Sequence, residues 1–197
     1  MIEVIVFDIG GTFMQGSFID FVNKAYTLLQ IPKSFKKGSE VVFDTDYNRG
    51  RIEIEECFRK FFQVPINNEE MSKLIDLWTN TWKPTDEMID LVESLKRNYQ
   101  LAVLSNSDPV NSKKYHEKGW YSYFNPIVLS HEEGFLKPEK EIYQILLEKI
   151  NLPASQLLFI DDQEEVLVTA QKLGMGTLLF KSIKELKNDL RKLNIHF

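Results

Sequence analysis

The stretch Ile2-Glu3-Val4-Ile5-Val6-Phe7-Asp8-Ile9-Gly10-Gly11-Thr12 begins as a short, β-branched apolar run and breaks off at an aspartate and two glycines. It reads as a buried strand that ends in a tight turn and leaves a carboxylate at its carboxyl end. Three later runs stop in a similar way. Leu101-Ala102-Val103-Leu104 gives way to Ser105-Asn106-Ser107-Asp108, Ile127-Val128-Leu129 to Ser130, and Leu157-Leu158-Phe159-Ile160 to Asp161-Asp162. A fifth run, Thr177-Leu178-Leu179-Phe180, follows Gly174-Met175-Gly176.

Amphipathic helical stretches lie between these runs. Residues 85–98 place Met88, Leu91, Val92 and Leu95 on one face. Residues 138–150 carry a proline near their start and then Ile142, Ile145, Leu146 and Leu147. Residues 164–173 carry Val166, Leu167, Ala170 and Leu173. Strands alternating with helices of this length imply an α/β protein, a Rossmann-like parallel sheet with helices on both faces. Residues 17–82 break the alternation. They are rich in Phe, Lys, Glu and Asn, with helical periodicity over 18–29, 51–62 and 69–82 and no strong strand signal. The expected organisation is a core of residues 1–16 and 83–197, interrupted after its first strand by a small helical insertion over 17–82.

The chain has 197 residues, 43% hydrophobic and 27% charged, the balance of an ordinary globular protein. Disordered, collagen-like and disulfide-stapled classes are excluded, and the length suffices for a full core. With 24 Lys and Arg against 29 Asp and Glu the net charge is −5. No block of Lys and Arg is large enough to track a phosphate backbone, so nucleic acid is not an expected partner. No apolar stretch approaches the ~20 residues of a membrane span, and the opening residues lack the basic start of a leader. The single cysteine, Cys57, shares a helical face with Phe58, Phe61 and Phe62 and reads as a packed core thiol. A lone thiol suits a reducing, cytoplasmic setting.

In an open α/β sheet, ligands bind at the carboxyl ends of the strands. The residues expected there are Asp8, Ser105-Asn106 and Asp161-Asp162, with Lys137 seven residues past Ser130 and just ahead of a helix. Each alone is an ordinary turn or capping residue. Together they gather three carboxylates, a hydroxyl, an amide and an ammonium on one edge. Gathered carboxylates suit a hard cation such as Mg²⁺. A carboxylate can serve as a nucleophile, and a lysine with neutral donors can hold phosphoryl oxygens. The chemistry that fits is phosphoryl transfer.

These motifs resemble, from end to end, those of the haloacid dehalogenase superfamily. The family's first motif, hhhhDxDx[TV], is matched by Val4 to Thr12 except that Gly10 replaces the second Asp. Val103-Leu104-Ser105-Asn106 matches the second. Ser130, Glu132, Gly134, Lys137, Pro138, Ile142 and Tyr143 match the third. Leu157 to Asp162, then Ala170, Leu173, Gly174 and Met175, match the fourth. The resemblance implies a helical cap at 17–82 and a small phosphorylated substrate. It implies Asp8 as nucleophile and Mg²⁺ ligand, the main-chain carbonyl of Gly10 as a second ligand, and Asp161 and Asp162 as the others. It also implies Ser105 and the Asn106 backbone on the phosphoryl group, with Lys137 pairing that group and Asp8. A monomer or weak homodimer is expected.

Gly10 departs from the family pattern, in which the second Asp protonates the leaving group and then activates water. The resemblance leaves three outcomes open. Another group serves, such as Asp20, Asp44, Asp46 or a water held by Gln15; or the substrate has a good leaving group; or the protein is slow. One branch, the bacterial phosphatases that include the α-glucose-1-phosphate phosphatases, is similar in using glycine here, which keeps sugar phosphates in view as substrates. Val166 stands where many relatives carry Asn and is expected to pack.

Two further readings compete with an active phosphatase. A catalytically weak phosphometabolite-binding protein would keep the phosphate and metal residues without the acid. A 2-haloacid dehalogenase also lacks the second Asp, but the Asp161-Asp162 pair argues against it. The opening motif of actin-like sugar kinases matches Asp8 to Thr12 as well, yet predicts neither Lys137 nor the aspartate pair. His131 is expected in an exposed loop, and His116 and His196 in solvent. Trp78, Trp82, Trp120, Tyr121, Tyr123 and Phe124 are expected to pack rather than to form a ligand box.

Overall fold

The computed structural model of the chain describes residues 1–32 and 43–197, with the backbone alone of Phe43 and Asp44. Five parallel strands form one sheet in the order β3-β2-β1-β4-β5. They are β1 (Val4–Phe7), β2 (Gln100–Ser105), β3 (Ile127–Leu129), β4 (Leu157–Asp161) and β5 (Gly176–Leu179). All five expected strands are present, shifted by at most two residues at either end. Because the connections leave β1 toward β2 and β3 on one side and return to β4 and β5 on the other, the sheet has its switch at β1.

Strand parity builds the two layers. Ile5 and Phe7 of β1, Leu101 and Val103 of β2 and Leu158 and Ile160 of β4 face one cluster. It is closed by Met88, Leu91, Val92 and Leu95 of α4 (Asp86–Leu95), the four residues expected on that face, and by Leu186 and Leu190 of α9 (Ile183–Lys192). Val4, Val6, Ala102, Leu104, Leu157 and Phe159 face the other cluster, against α7 (Lys140–Ile150) and α8 (Glu164–Lys172). With both faces covered, near-continuous apolar strands are what the sheet requires.

The face of α7 differs in part from the expectation. Ile142, Tyr143, Leu146 and Ile150 are buried, whereas Ile145 and Leu147 are only partly so. The helical repeat of 3.6 carries the stripe from 142 through 146 to 150, and Tyr143 joins it because its hydroxyl donates to the Val166 carbonyl at 2.8 Å. Val166 itself is 1% exposed, so it packs.

Between β1 and α4 run α1 (Phe18–Leu28), a π-helical turn (Phe43–Tyr47), α2 (Ile54–Phe62) and α3 (Asn68–Thr79). Their starts are written locally. Ser17 accepts the Asp20 amide at the head of α1, and Asn67 and Glu70 form a reciprocal capping box on α3. These helices enclose a third apolar cluster that includes Phe21, Cys57, Phe58, Leu74 and Trp78. Burial pushes the Cys57 thiol up to about 12, so it is an inert core group. The two strands of chain that enter and leave this helical segment lie side by side. Gln15 and Lys83 exchange two backbone hydrogen bonds of 2.9 and 3.1 Å in an antiparallel bridge.

Candidate active site

Strand ends bring the site together. Phe7 pairs with Val103 on one side and Ile160 on the other, so the next residue, Asp8, stands between the ends of β2 and β4. Asp161 closes β4 and Ser105 closes β2. Ser105 Oγ donates to Asp8 Oδ1 at 3.0 Å. Lys137 Nζ, 137 being three residues ahead of α7, donates to Asp8 Oδ1 and to Asp161 Oδ2, each at 2.6 Å. Gln163 N–H donates to the other Asp161 oxygen at 2.9 Å.

Asn106 holds Lys137 in place. Its Oδ1 accepts from the Lys137 amide at 2.7 Å and its Nδ2 donates to the Lys137 carbonyl at 3.0 Å. The side chain is thus committed to the protein, leaving its backbone for a ligand. Asp162 lies beside the buried pair: oxygens of Asp8, Asp161 and Asp162 all fall within 4.8 Å of one another. Gly10 lines the cavity above them.

The electrostatics follow from a charge imbalance. Three carboxylates against one ammonium leave two uncompensated negative charges. Asp8 is pushed from its ordinary 3.8 to about 7. Burial raises it most, the Lys137 ammonium pulls it back, and the Asp161 and Asp162 carboxylates push it up again. Burial, then Asp161, also raises Asp162. Lys137 keeps its charge: burial acts against it, and Asp8 and Asp161 more than offset that. An all-oxygen donor set with two excess negative charges fits a hard divalent cation.

The expected surrogate acids are not brought to this site. Asp20 is exposed on α1, Asp46 lies 3.6 Å from Arg51, and Gln15 donates to the Thr12 carbonyl at 2.9 Å. None of the three lines the cavity. The Asp44 side chain lies outside the described residues. His131 is not in an exposed loop. It sits half-buried in the short helix α6 (Ser130–Glu133), with Nδ1 3.0 Å from Ser107 Oγ, and burial lowers its pKa. His116 and His196 are exposed, as expected.

Asp108 was not expected to matter beyond a turn. It caps α5 (Pro109–Glu117), accepting from the Val110 and Asn111 amides and from Asn111 Nδ2. It also accepts the Tyr47 hydroxyl at 2.9 Å and the Trp78 indole N–H at 3.2 Å. Asp before Pro is a readable helix start, but partners 61 and 30 residues away are not. The same helical segment also docks through Asn48, whose carbonyl accepts from Ser130 Oγ at 2.6 Å, and through an Arg49–Glu139 ion pair.

The family model of haloacid dehalogenase-like hydrolases matches residues 2–174. A sesquiterpene phosphatase of Aspergillus oryzae is 27% identical over 134 residues, 66% of this chain and 67% of its own length. A D-ribitol-5-phosphate phosphatase of Bacteroides thetaiotaomicron is 22% identical over 188 residues, 90% of this chain and 91% of its own. A haloacid dehalogenase family enzyme of the same bacterium, solved as a magnesium complex, superposes with a TM-score of 0.79 at 21% identity, over 96% of this chain and 98% of that one. The protein belongs to the haloacid dehalogenase-like hydrolases.

Proposed function

We propose that this hydrolase is a Mg²⁺-dependent phosphatase of small phosphomonoesters that works through an aspartyl-phosphate on Asp8. The observation that carries the reading is the pairing of Asp8. Both of its hydrogen bonds, from Ser105 and Lys137, fall on Oδ1. Oδ2 is left, among the described residues, to attack phosphorus as the ester P–O bond breaks. Ser105 and Lys137 orient the carboxylate and offer donors to the phosphoryl oxygens. Water then attacks the aspartyl-phosphate, phosphate leaves, and the carboxylate is regenerated. Asp8, Asp161, Asp162 and the Gly10 carbonyl are the groups that would hold Mg²⁺, which offsets phosphoryl charge.

Residues 17–82 act in this reading as the cap over residues 1–16 and 83–197. The Gln15–Lys83 bridge at the double crossing supports that division. The substrates in the relatives' names, a sesquiterpene and a ribitol phosphate, support a phosphomonoester and differ in the organic group.

Gly10 favours a second reading, a weak phosphometabolite-binding protein, because no side chain there can protonate the leaving oxygen. Phosphate release from p-nitrophenyl phosphate and a panel of sugar and nucleotide monophosphates, with and without Mg²⁺, separates the two. Mg²⁺-dependent release establishes the phosphatase. Silence across the panel, with phosphate analogues still binding, establishes the weak binder.

A further inference from the structure

We propose that the organic group of the substrate is an apolar body bearing a single phosphate, not a polyol; the inference rests on the phosphatase reading above. A cavity of about 770 Å³ opens over Ser105 and Lys137, with room for far more than a phosphoryl group. Its wall is built by Phe18 and Ile19 of α1, by Trp78 and Trp82, and by Tyr115 and Leu136. Trp82 packs edge-on to Trp78 at 4.5 Å, and Trp78 edge-on to Phe18 at 6.2 Å, so the aromatic part of the wall is a continuous layer. Ile19 is 49% exposed beside it, a branched apolar side chain that only a ligand or a partner would cover.

The polar side chains on the wall are largely committed elsewhere. Asp108 accepts five hydrogen bonds, two of them from Asn111, and Asn106 is spent on the Lys137 backbone. Glu139 pairs with Arg49, and Ser107 Oγ with His131. Of the Asn, Gln, Ser, Asp and Glu side chains lining the cavity, Asn48, Gln163 and Glu165 remain without a described partner, and Asn111 keeps one unpaired oxygen, Oδ1. A polyol entering this space would bury hydroxyls against ring faces, and an unpaired hydroxyl is costly to bury. An apolar body loses nothing of that kind and covers Ile19 and the indole faces. Lys137 is the sole lining cation among the described residues, and Asp8 and Asp161 already hold it, so no second phosphate finds a partner.

The test compares n-hexyl phosphate with sorbitol 6-phosphate in the presence of Mg²⁺. Both are six-carbon phosphates of a primary alcohol, and the electron-withdrawing hydroxyls make sorbitol the better leaving group, so a preference for hexyl phosphate reports the pocket and not the leaving group. Acetyl phosphate serves as a small control. Hexyl phosphate is expected to show a kcat/KM about tenfold or more above sorbitol 6-phosphate. Ile19→Asn, at an exposed helix position that carries no folding burden, and Trp82→Ala should each shrink that ratio. Equal or better use of sorbitol 6-phosphate overturns the inference and leaves the phosphatase reading standing. If even acetyl phosphate is untouched, the phosphatase reading fails by itself. Tryptophan fluorescence titration with the same two esters then decides: tighter hexyl phosphate binding supports the apolar pocket, and equal or weaker binding overturns it.

Discussion

The carboxylate of Asp162 lies against the Cα of Gly11, where a Cβ would overlap it, and the Gly11 backbone sits at φ +83°. Glycine at 11 therefore does two things. It makes the left-handed turn after β1 without strain, and it lets the third carboxylate come up beside Asp8. Gly10 is different. A Cβ built there meets nothing within 4 Å, so space does not demand glycine at that position.

That contrast makes Gly10→Asp an informative substitution. If proton transfer to the leaving oxygen limits turnover, the variant should gain roughly 10²–10⁴ in kcat on alkyl phosphates. On p-nitrophenyl phosphate, whose leaving group needs little acid, the gain should be small. Steady-state kinetics on both esters checks it; an unchanged alkyl rate would mean that some other group already serves as the acid. Gly11→Ala, by contrast, should weaken Mg²⁺ activation because it displaces Asp162.

Asp8→Asn keeps the shape of the side chain and an acceptor for Ser105 but removes the oxygen proposed as the nucleophile. Turnover should fall by at least about 10³-fold, with far-ultraviolet circular dichroism unchanged. A variant that retained the wild-type Mg²⁺-dependent rate would remove Asp8 from the mechanism.

If Asp8 holds Mg²⁺ as proposed, metal and protons compete for its carboxylate. Its carboxyl is raised from 3.8 to about 7, so the folded chain without metal binds a proton there that the unfolded chain has released. The sign follows: without metal, this group's contribution to stability is full below about pH 4 and is lost as pH rises to 7. Thermal melts without metal should therefore show a larger drop in Tm from pH 5.5 to pH 8 in the wild type than in Asp8→Asn. Added Mg²⁺ should raise Tm more at pH 8, and the half-saturating Mg²⁺ concentration should climb as pH falls below 7. A Mg²⁺ response independent of pH would place the metal away from Asp8.

Lys137→Met probes the same imbalance from the other side. The ammonium is buried between Asp8 and Asp161 at 2.6 Å from each, and its loss leaves both carboxylates uncompensated. Removing one partner of a buried pair costs about 3–5 kcal/mol. The cost should be largest at pH 8 without Mg²⁺ and smaller at pH 5.5, where Asp8 can protonate. Urea denaturation at the two pH values reads it directly.

Much of the core was legible in the sequence because its signals are local. Each strand is an apolar run with a stop, and the four buried residues of α4 follow the helical repeat alone. Asp8, Ser105 and Asp161 were legible because strand ends in a parallel sheet share one edge, and Lys137 because it stands just ahead of a helix that follows such an end. What sequence could not supply was pairing at a distance. Nothing in Asn48-Arg49 announces that they dock on Ser130 and Glu139, and the candidate acids Asp20 and Asp46 carry no mark that they face away from the cavity. On α7 the apolar residues outnumber the buried face, and the 3.6 repeat selects Ile142, Leu146 and Ile150 from among them.

Asp108 is the sharpest case of such hidden pairing, and it yields a prediction about motion as well as stability. One carboxylate caps α5 and at the same time receives Tyr47 and Trp78 from the helical segment that follows β1. The Trp78 indole it fixes is also part of the cavity wall. Asp108→Ala removes the acceptor shared by three side-chain donors and two amides of α5, and each buried hydrogen bond lost in this way costs about 1–3 kcal/mol. The helical segment should loosen, with faster proteolytic cleavage within residues 43–82 and a raised KM. Asp108→Asn keeps one oxygen acceptor and should recover most of the KM but less of the stability. If Asp108→Ala lowered Tm while leaving the cleavage pattern and KM as in the wild type, the residue would be a helix cap and no more.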